Sequence, residues 1–350
     1  MINQLLASRR SLFLGLVLLT FTVTSCLGLA KGSEPNVTLI GSGATFPAPL
    51  YQRWFSEYNK QKPAIQVAYQ SVGSGAGIEQ FTQGTVDFGA SDVAMKDDEI
   101  KKVKQGVVLL PMTAGTIVIG YNVPDQKTGL KLSRKALGDI FLGKLQKWND
   151  PAIAKVNPDA KLPDLPIIVV HRSEGSGTTA VFTKLLSKIS PEWKEKVGDG
   201  KAVDWPTGVG GRGNEGVAAL VQQIAGAIGY IEYGYAKPTK IPVANLENKS
   251  GQYVEPNTES ALKALATAKL PDNLRVFITD PEGEGVYPLV TYTWIMAQKQ
   301  YEDKVKAKTL KEVMTWSLTE GQKLSEEMGY VPLPQQTVEK VKAALAKIQA

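Results

Sequence analysis

Short apolar runs alternate with amphipathic stretches along most of the chain. Residues 37–40 are an apolar run and read as a strand. Over 48–59, Leu50, Trp54 and Tyr58 recur every four residues, which predicts one face of a helix. Ile65, Val67 and Tyr69 then alternate with polar or small residues, the period of a strand. A short helical pattern runs through Ile78 and Phe81, and 107–110, 117–121 and 167–170 read as strands. Val181, Phe182, Leu185, Leu186 and Ile189 form a helical stripe. The chain ends in three predicted helices, at 301–318, 320–327 and 337–348. Strands alternating with helices predict an α/β protein of mostly parallel sheets covered by helices.

The N-terminus reads differently. Arg9 and Arg10 precede an apolar stretch at 12–23, the length of a signal-peptide core and too short for a confident membrane span. It ends in Val23, Thr24, Ser25 and Cys26, a pattern that resembles a bacterial lipobox. Residues 1–25 are therefore expected to be a cleaved signal peptide. Cys26 is expected to carry lipid, and 26–36, polar with Gly, Ser and Pro, to be a tether.

Rare residues exclude several chemistries. Cys26 and His171 are the only cysteine and histidine in 350 residues. No internal disulfide, Cys/His zinc site or Cys–His nucleophile pair can form, and a Ser-His-Asp enzyme would have to use His171. No serine lies at a nucleophile elbow, and His171 reads as a strand-end packing residue. The formal charge of +6 is spread along the chain without a basic block, so no nucleic-acid partner is expected, although a small anion could be attracted.

The main constellation is the tripeptide Gly-Ser-Gly at 41–43, 73–75 and 175–177, each copy expected to follow a strand and precede a helix. In α/β folds ligands collect at the carboxyl ends of strands, and a helix N-terminus offers unsatisfied N–H groups to an anion. One copy alone is adequately explained as a turn with a capping serine. Three at equivalent junctions point to a shared anion site. In the third, Arg172 could grip an oxyanion through two hydrogen bonds, with Glu174 as its ion-pair partner. Two other glycine runs are weaker. Residues 208–213 fit G-x-G-x-x-G but follow 204–207, which does not read as a strand. Residues 138–144 begin like a phosphate-binding loop, but Leu145 stands where magnesium would need Ser or Thr. The acidic cluster of Asp97, Asp98 and Glu99 reads as a helix start rather than a metal site.

Four segments together resemble a known family: Gly41-Ser42-Gly43-Ala44-Thr45-Phe46-Pro47, Val86-Asp87-Phe88-Gly89-Ala90-Ser91-Asp92, Gly175-Ser176-Gly177-Thr178 and Gly226-Ala227-Ile228-Gly229-Tyr230. They are similar to the periplasmic phosphate-binding protein of bacterial phosphate ABC transporters, in its lipoprotein form. The similarity spans nearly all the chain after the leader. The resemblance implies a type II periplasmic-binding fold, with two α/β lobes around a cleft. Lobe I would comprise 37–113 plus 284–350, and lobe II 114–283. It implies phosphate ligands at Thr45, Phe46, Ser74, Asp92, Arg172, Ser176, Gly177 and Thr178. Asp92 would accept from a protonated phosphate oxygen, and Glu174 would support Arg172. Where Glu174 and His171 stand, the family often has Asp and Arg. The function implied is extracytoplasmic capture of inorganic phosphate by a monomer and delivery to a membrane permease, with no enzymatic step, cofactor or metal. Other readings are a receptor for sulfate, arsenate or molybdate, a secreted phosphatase using the same pocket, or a surface adhesin or sensor.

Overall fold

The computed structural model describes residues 36–350, so the expected signal peptide, Cys26 and all of the tether but Asn36 lie outside the described residues. Strand β1 (Val37–Gly43) leads to helix α1 (Ala48–Gln61), and β2 (Ile65–Ser71) to α2 (Ser74–Gln83). Then come β3 (Phe88–Ser91), α3 (Asp97–Ile100) and the long β4 (Val107–Tyr121). The middle of the chain holds β5 (Lys131–Leu132), α4 (Arg134–Phe141), α5 (Pro151–Ala154), β6 (Ile168–Arg172), α6 (Gly177–Ile189) and α7 (Pro191–Lys196). It continues through β7 (Val209–Gly211), α8 (Gly213–Gln223), β8 (Ala227–Glu232), α9 (Tyr233–Thr239), β9 (Asn245–Glu247), β10 (Tyr253–Val254) and α10 (Thr258–Ala266). The chain finishes with β11 (Val290–Gln298), α11 (Lys304–Leu318) and α12 (Gln335–Leu345).

Eight strands pair in the order β2-β1-β3-β11-β4-β8-β6-β7, and β10-β9-β5 form a small second sheet. The large sheet is mixed rather than mostly parallel. β1 pairs parallel with β2 and β3, and β6 with β7 and β8, but β4 runs antiparallel to both its neighbours, as does β11. The two predicted strands at 107–110 and 117–121 are one strand. Pro111 and Gly115 interrupt the apolar pattern without ending it. A register shift opposite Thr293 and Trp294 leaves Met112 unpaired, directly after Pro111, which has no N–H to give the ladder. Gly115 leaves room for Phe46, whose ring a Cβ there would meet at 2.7 Å.

β4 joins two strand groups. Its first part, from Val107 to Thr116, pairs with β11, and its last, from Ile117 to Tyr121, pairs with β8 on the other edge. Four tryptophans are buried with their indole N–H satisfied: Trp54 donates to Gly321 O, Trp148 to Gly226 O, Trp193 to Gly198 O and Trp294 to Leu274 O. The predicted helix at 320–327 reduces to one 3-10 turn, Gly321–Leu324. Among the described residues no helix is long and apolar enough to cross a membrane.

The glycine runs fall in three kinds of place. The copy at 41–43 ends β1 and does not open a helix; a Cβ on Gly43 would meet Ala90 O at 2.0 Å, so here glycine serves strand packing. The copies at 73–75 and 175–177 do stand at helix starts, with Ser74 opening α2 and Ser176 capping α6. Gly138 lies inside α4 against Ser190, so 138–144 is not a phosphate loop. The 204–207 segment is indeed no strand, yet 209–211 form β7 and Gly213 opens α8.

Candidate functional site: a buried polar cluster between strand ends

Six polar side chains singled out in the sequence are buried: Thr45, Ser74, Asp92, Arg172, Ser176 and Thr178 are each at most 3% exposed. Buried polar groups must be paired, and here they pair with one another. The Asp92 N–H donates to Ser74 Oγ at 3.2 Å. The Thr178 hydroxyl donates to Asp92 Oδ2 at 3.2 Å, and the Thr293 hydroxyl to Oδ1 at 3.0 Å. Arg172 Nη1 donates to Thr178 Oγ1 at 3.4 Å. Gly177 sits so near that a Cβ on it would meet Ser74 Oγ at 2.6 Å and Asp92 Cβ at 2.7 Å. The Gly75 N–H donates to Gly175 O at 2.8 Å, tying the second glycine turn to the third.

Each residue owes its place to local structure. Ser74 and Ser176 occupy helix starts, and Ser176 Oγ accepts from Thr179 N at 3.0 Å. The first N–H groups of α2 and α6 have no intrahelical partner, so both helices present donors at the cluster. Asp92 follows β3 and Arg172 ends β6. Thr45 and Phe46 lie in the turn between β1 and α1. This turn is pinned from outside: the Tyr235 hydroxyl donates to Thr45 O at 2.6 Å and the Tyr330 hydroxyl to Phe46 O at 2.7 Å.

Arg172 is held on three sides. Glu174 Oε1 accepts from its Nε at 2.9 Å and also from Nη2. The Arg172 N–H donates to the Tyr230 hydroxyl at 3.0 Å. Tyr230 stacks on Phe182 and Trp205, and Trp205 stacks on His171 at 4.8 Å and 10°. His171 is thus a packing residue at the strand end, and burial lowers its pKa against the hydrogen bond to Arg172 O. Burial pushes Asp92 up to about 6; the Arg172 charge and the hydroxyls of Thr293 and Thr178 pull the other way.

All eight sequence-predicted residues fall in this one region. Four further residues were missed. Asn214 donates to Thr45 and Thr178, Thr293 donates to Asp92, Tyr230 holds Arg172, and Glu232 donates its N–H to Asn214. Asn214 could have been found, because it directly follows the glycine run at 208–213; Thr293 gives no local signal within an apolar strand.

The chain matches the family model described as a PBP superfamily domain over residues 29–320. It is 44% identical to the phosphate-binding protein PstS of Pasteurella multocida over 96% of this chain and 95% of that protein. It is 40% identical to PstS of Methanocaldococcus jannaschii, over 93% of this chain and 92% of that protein. Among solved structures it resembles a periplasmic phosphate-binding protein bound with phosphate (PfluDING). The TM-score is 0.72 at 21% identity, covering 88% of this chain and 93% of that one, a likeness of fold.

Proposed function

The chain belongs to the PstS family of phosphate-binding proteins, within the PBP superfamily, and from that premise we propose that it captures inorganic phosphate outside the cytoplasm for an ABC-type permease. It acts as a binding protein and performs no chemistry on its ligand. The observation that carries the reading is one buried carboxylate, Asp92, set among polar groups of Ser74, Arg172, Thr178 and two helix starts. Hydrogen phosphate needs both kinds of partner. Its bare oxygens accept from hydroxyls, N–H groups and the guanidinium, and its protonated oxygen donates to a carboxylate.

The ligands in this proposal are Thr45, Phe46, Ser74, Asp92, Arg172, Ser176, Gly177 and Thr178, with Glu174 holding Arg172. The strand groups on either side of β4 act as two lobes, 37–113 with 284–350 and 114–283. Thr45, Ser74 and Asp92 belong to the first, and Arg172, Ser176 and Thr178 to the second. Opening at β4 and at the chain leading into β11 would admit the anion. The protein works as a monomer, tethered to the membrane through lipid on Cys26.

A thermal-shift panel of phosphate, sulfate, arsenate and phosphate esters tests the reading. A ligand at 100-fold over its dissociation constant adds about 2.7 kcal/mol of stability. Phosphate and arsenate should stabilise the protein, and sulfate and the esters should not. Stabilisation by sulfate alone would refute the assignment.

A further inference from the structure

Asn214 is fully buried and joins residues from both strand groups. Its Nδ2 donates to Thr45 Oγ1 at 2.8 Å and to Thr178 Oγ1 at 3.3 Å. Its backbone N–H also donates to Thr45 Oγ1, at 3.2 Å. The orientation of the amide is fixed independently. Its Oδ1 accepts from the Glu232 N–H at 2.9 Å, and a donor there requires the oxygen, so the NH2 group must face the threonines. The glycine run 208–213 makes the approach possible: a Cβ on Gly211 would meet Val217 N at 2.8 Å, and Gly213, at φ +74°, turns the chain into α8 directly before Asn214.

A hydroxyl has two acceptor positions and one proton. At Thr45 both acceptor positions are taken, by the Asn214 amide and backbone. At Thr178 they are taken by Asn214 and by Arg172 Nη1, and the proton goes to Asp92 Oδ2. Thr45 is left with a proton to give and no lone pair to offer. We propose that Asn214 is a positioning and specificity residue, which ties the two strand groups together and makes Thr45 a pure donor, so that the oxygen facing Thr45 must be unprotonated. Asp92 would then read the protonated oxygen of the anion and Thr45 a bare one. The inference rests on the phosphate-binding reading above.

The test is a double-mutant cycle read by phosphate calorimetry. Asn214→Asp keeps its backbone N–H and an acceptor for the Glu232 N–H but removes the side-chain donors, so Thr45 would turn its proton toward the new carboxylate. Thr45→Val keeps the shape of the threonine without its hydroxyl. In the wild-type background Thr45→Val should raise Kd about tenfold or more, the loss of one well-placed hydrogen bond. In the Asn214→Asp background the same substitution should cost a factor at least threefold smaller, because that hydroxyl no longer serves the anion. Charge repulsion or loosened packing alone would leave the Thr45→Val factor the same in both backgrounds, and that result overturns the proposal. Asn214→Ala adds no charge and frees one acceptor position on Thr45, so that hydroxyl is no longer held toward the anion; the Thr45→Val factor should shrink here too, which keeps the test decisive if the aspartate variant does not fold. Failure of the wild type to bind phosphate would overturn the functional reading and this inference together, whereas binding with additive effects overturns the inference alone.

Discussion

The Thr178 hydroxyl donates to Asp92 Oδ2 at 3.2 Å although 86 residues separate the two, and both side chains are at most 1% exposed. Asp92 leaves β3 in one strand group, and Thr178 stands in the first turn of α6 in the other. Burial makes the carboxylate costly to ionise, and the hydroxyls of Thr178 and Thr293, with Arg172 nearby, only partly offset that cost. A group kept at this cost, in a protein that could have placed a neutral side chain there, points to a ligand that needs an acceptor.

The cost sets a pH dependence. Asp92 is lifted from the ordinary 3.8 to about 6. Between those values the native protein without ligand holds more proton than the unfolded chain, so its stability falls as pH rises through that window. The fall is roughly 3 kcal/mol in all, and it levels off above the upper value. Asp92→Asn has no such proton to lose. Its melting temperature relative to wild type should climb from pH 4 to about pH 6.5 and then stay level. A difference independent of pH would show that Asp92 ionises as readily in the fold as out of it.

Arg172 and Glu174 give a second prediction. Arg172→Ala should weaken phosphate binding by roughly 1.5–3 kcal/mol, the scale of a hydrogen bond to a charged group. Glu174→Gln leaves Arg172, 3% exposed, without its counter-charge. The ligand-free protein should melt earlier, and phosphate, which restores a negative charge beside the guanidinium, should raise the melting temperature by more than it does in wild type. Equal phosphate-induced shifts in wild type and Glu174→Gln would mean that the ion pair and the anion do not compete for Arg172.

Anchoring is tested apart from the site. Wild-type protein expressed with its leader should fractionate with membranes, and Cys26→Ser should not. Soluble wild type carrying an unmodified Cys26 would remove the lipid anchor from the account.

Much of the site was legible because its residues sit in short, chemically unusual segments. Ser74, Ser176 and Arg172 stand at glycine turns that really do open helices, or at the strand end before one, where capping rules and strand-end logic reach them directly. The same logic misassigned the turn at 41–43, because glycine also serves close strand packing, and a Cβ at Gly41 would strike the Phe88 ring. The antiparallel course of β4 and β11 was not legible, since pairing partners about 180 residues apart leave no periodic trace. Nor was the splint of Asn214, whose partners Thr45 and Thr178 lie 169 and 36 residues away. Its role depends on which backbone N–H faces its amide oxygen, a fact only the assembled fold supplies.

Competition of sulfate against labelled phosphate, in wild type and in Asp92→Asn, tests the central claim most directly. At neutral pH phosphate keeps at least one proton and sulfate keeps none. An ionised Asp92 facing sulfate would meet a bare oxygen, leaving an acceptor unpaired in a closed site, which commonly costs on the order of 10⁴–10⁵ in selectivity. The wild type should therefore hold phosphate against a large excess of sulfate. In Asp92→Asn, where the amide can also donate, sulfate should compete at far lower concentration while phosphate affinity changes modestly. If the variant rejects sulfate as strongly as the wild type does, or if the wild type takes sulfate as readily as phosphate, then Asp92 does not read the phosphate proton and the account of this site is wrong.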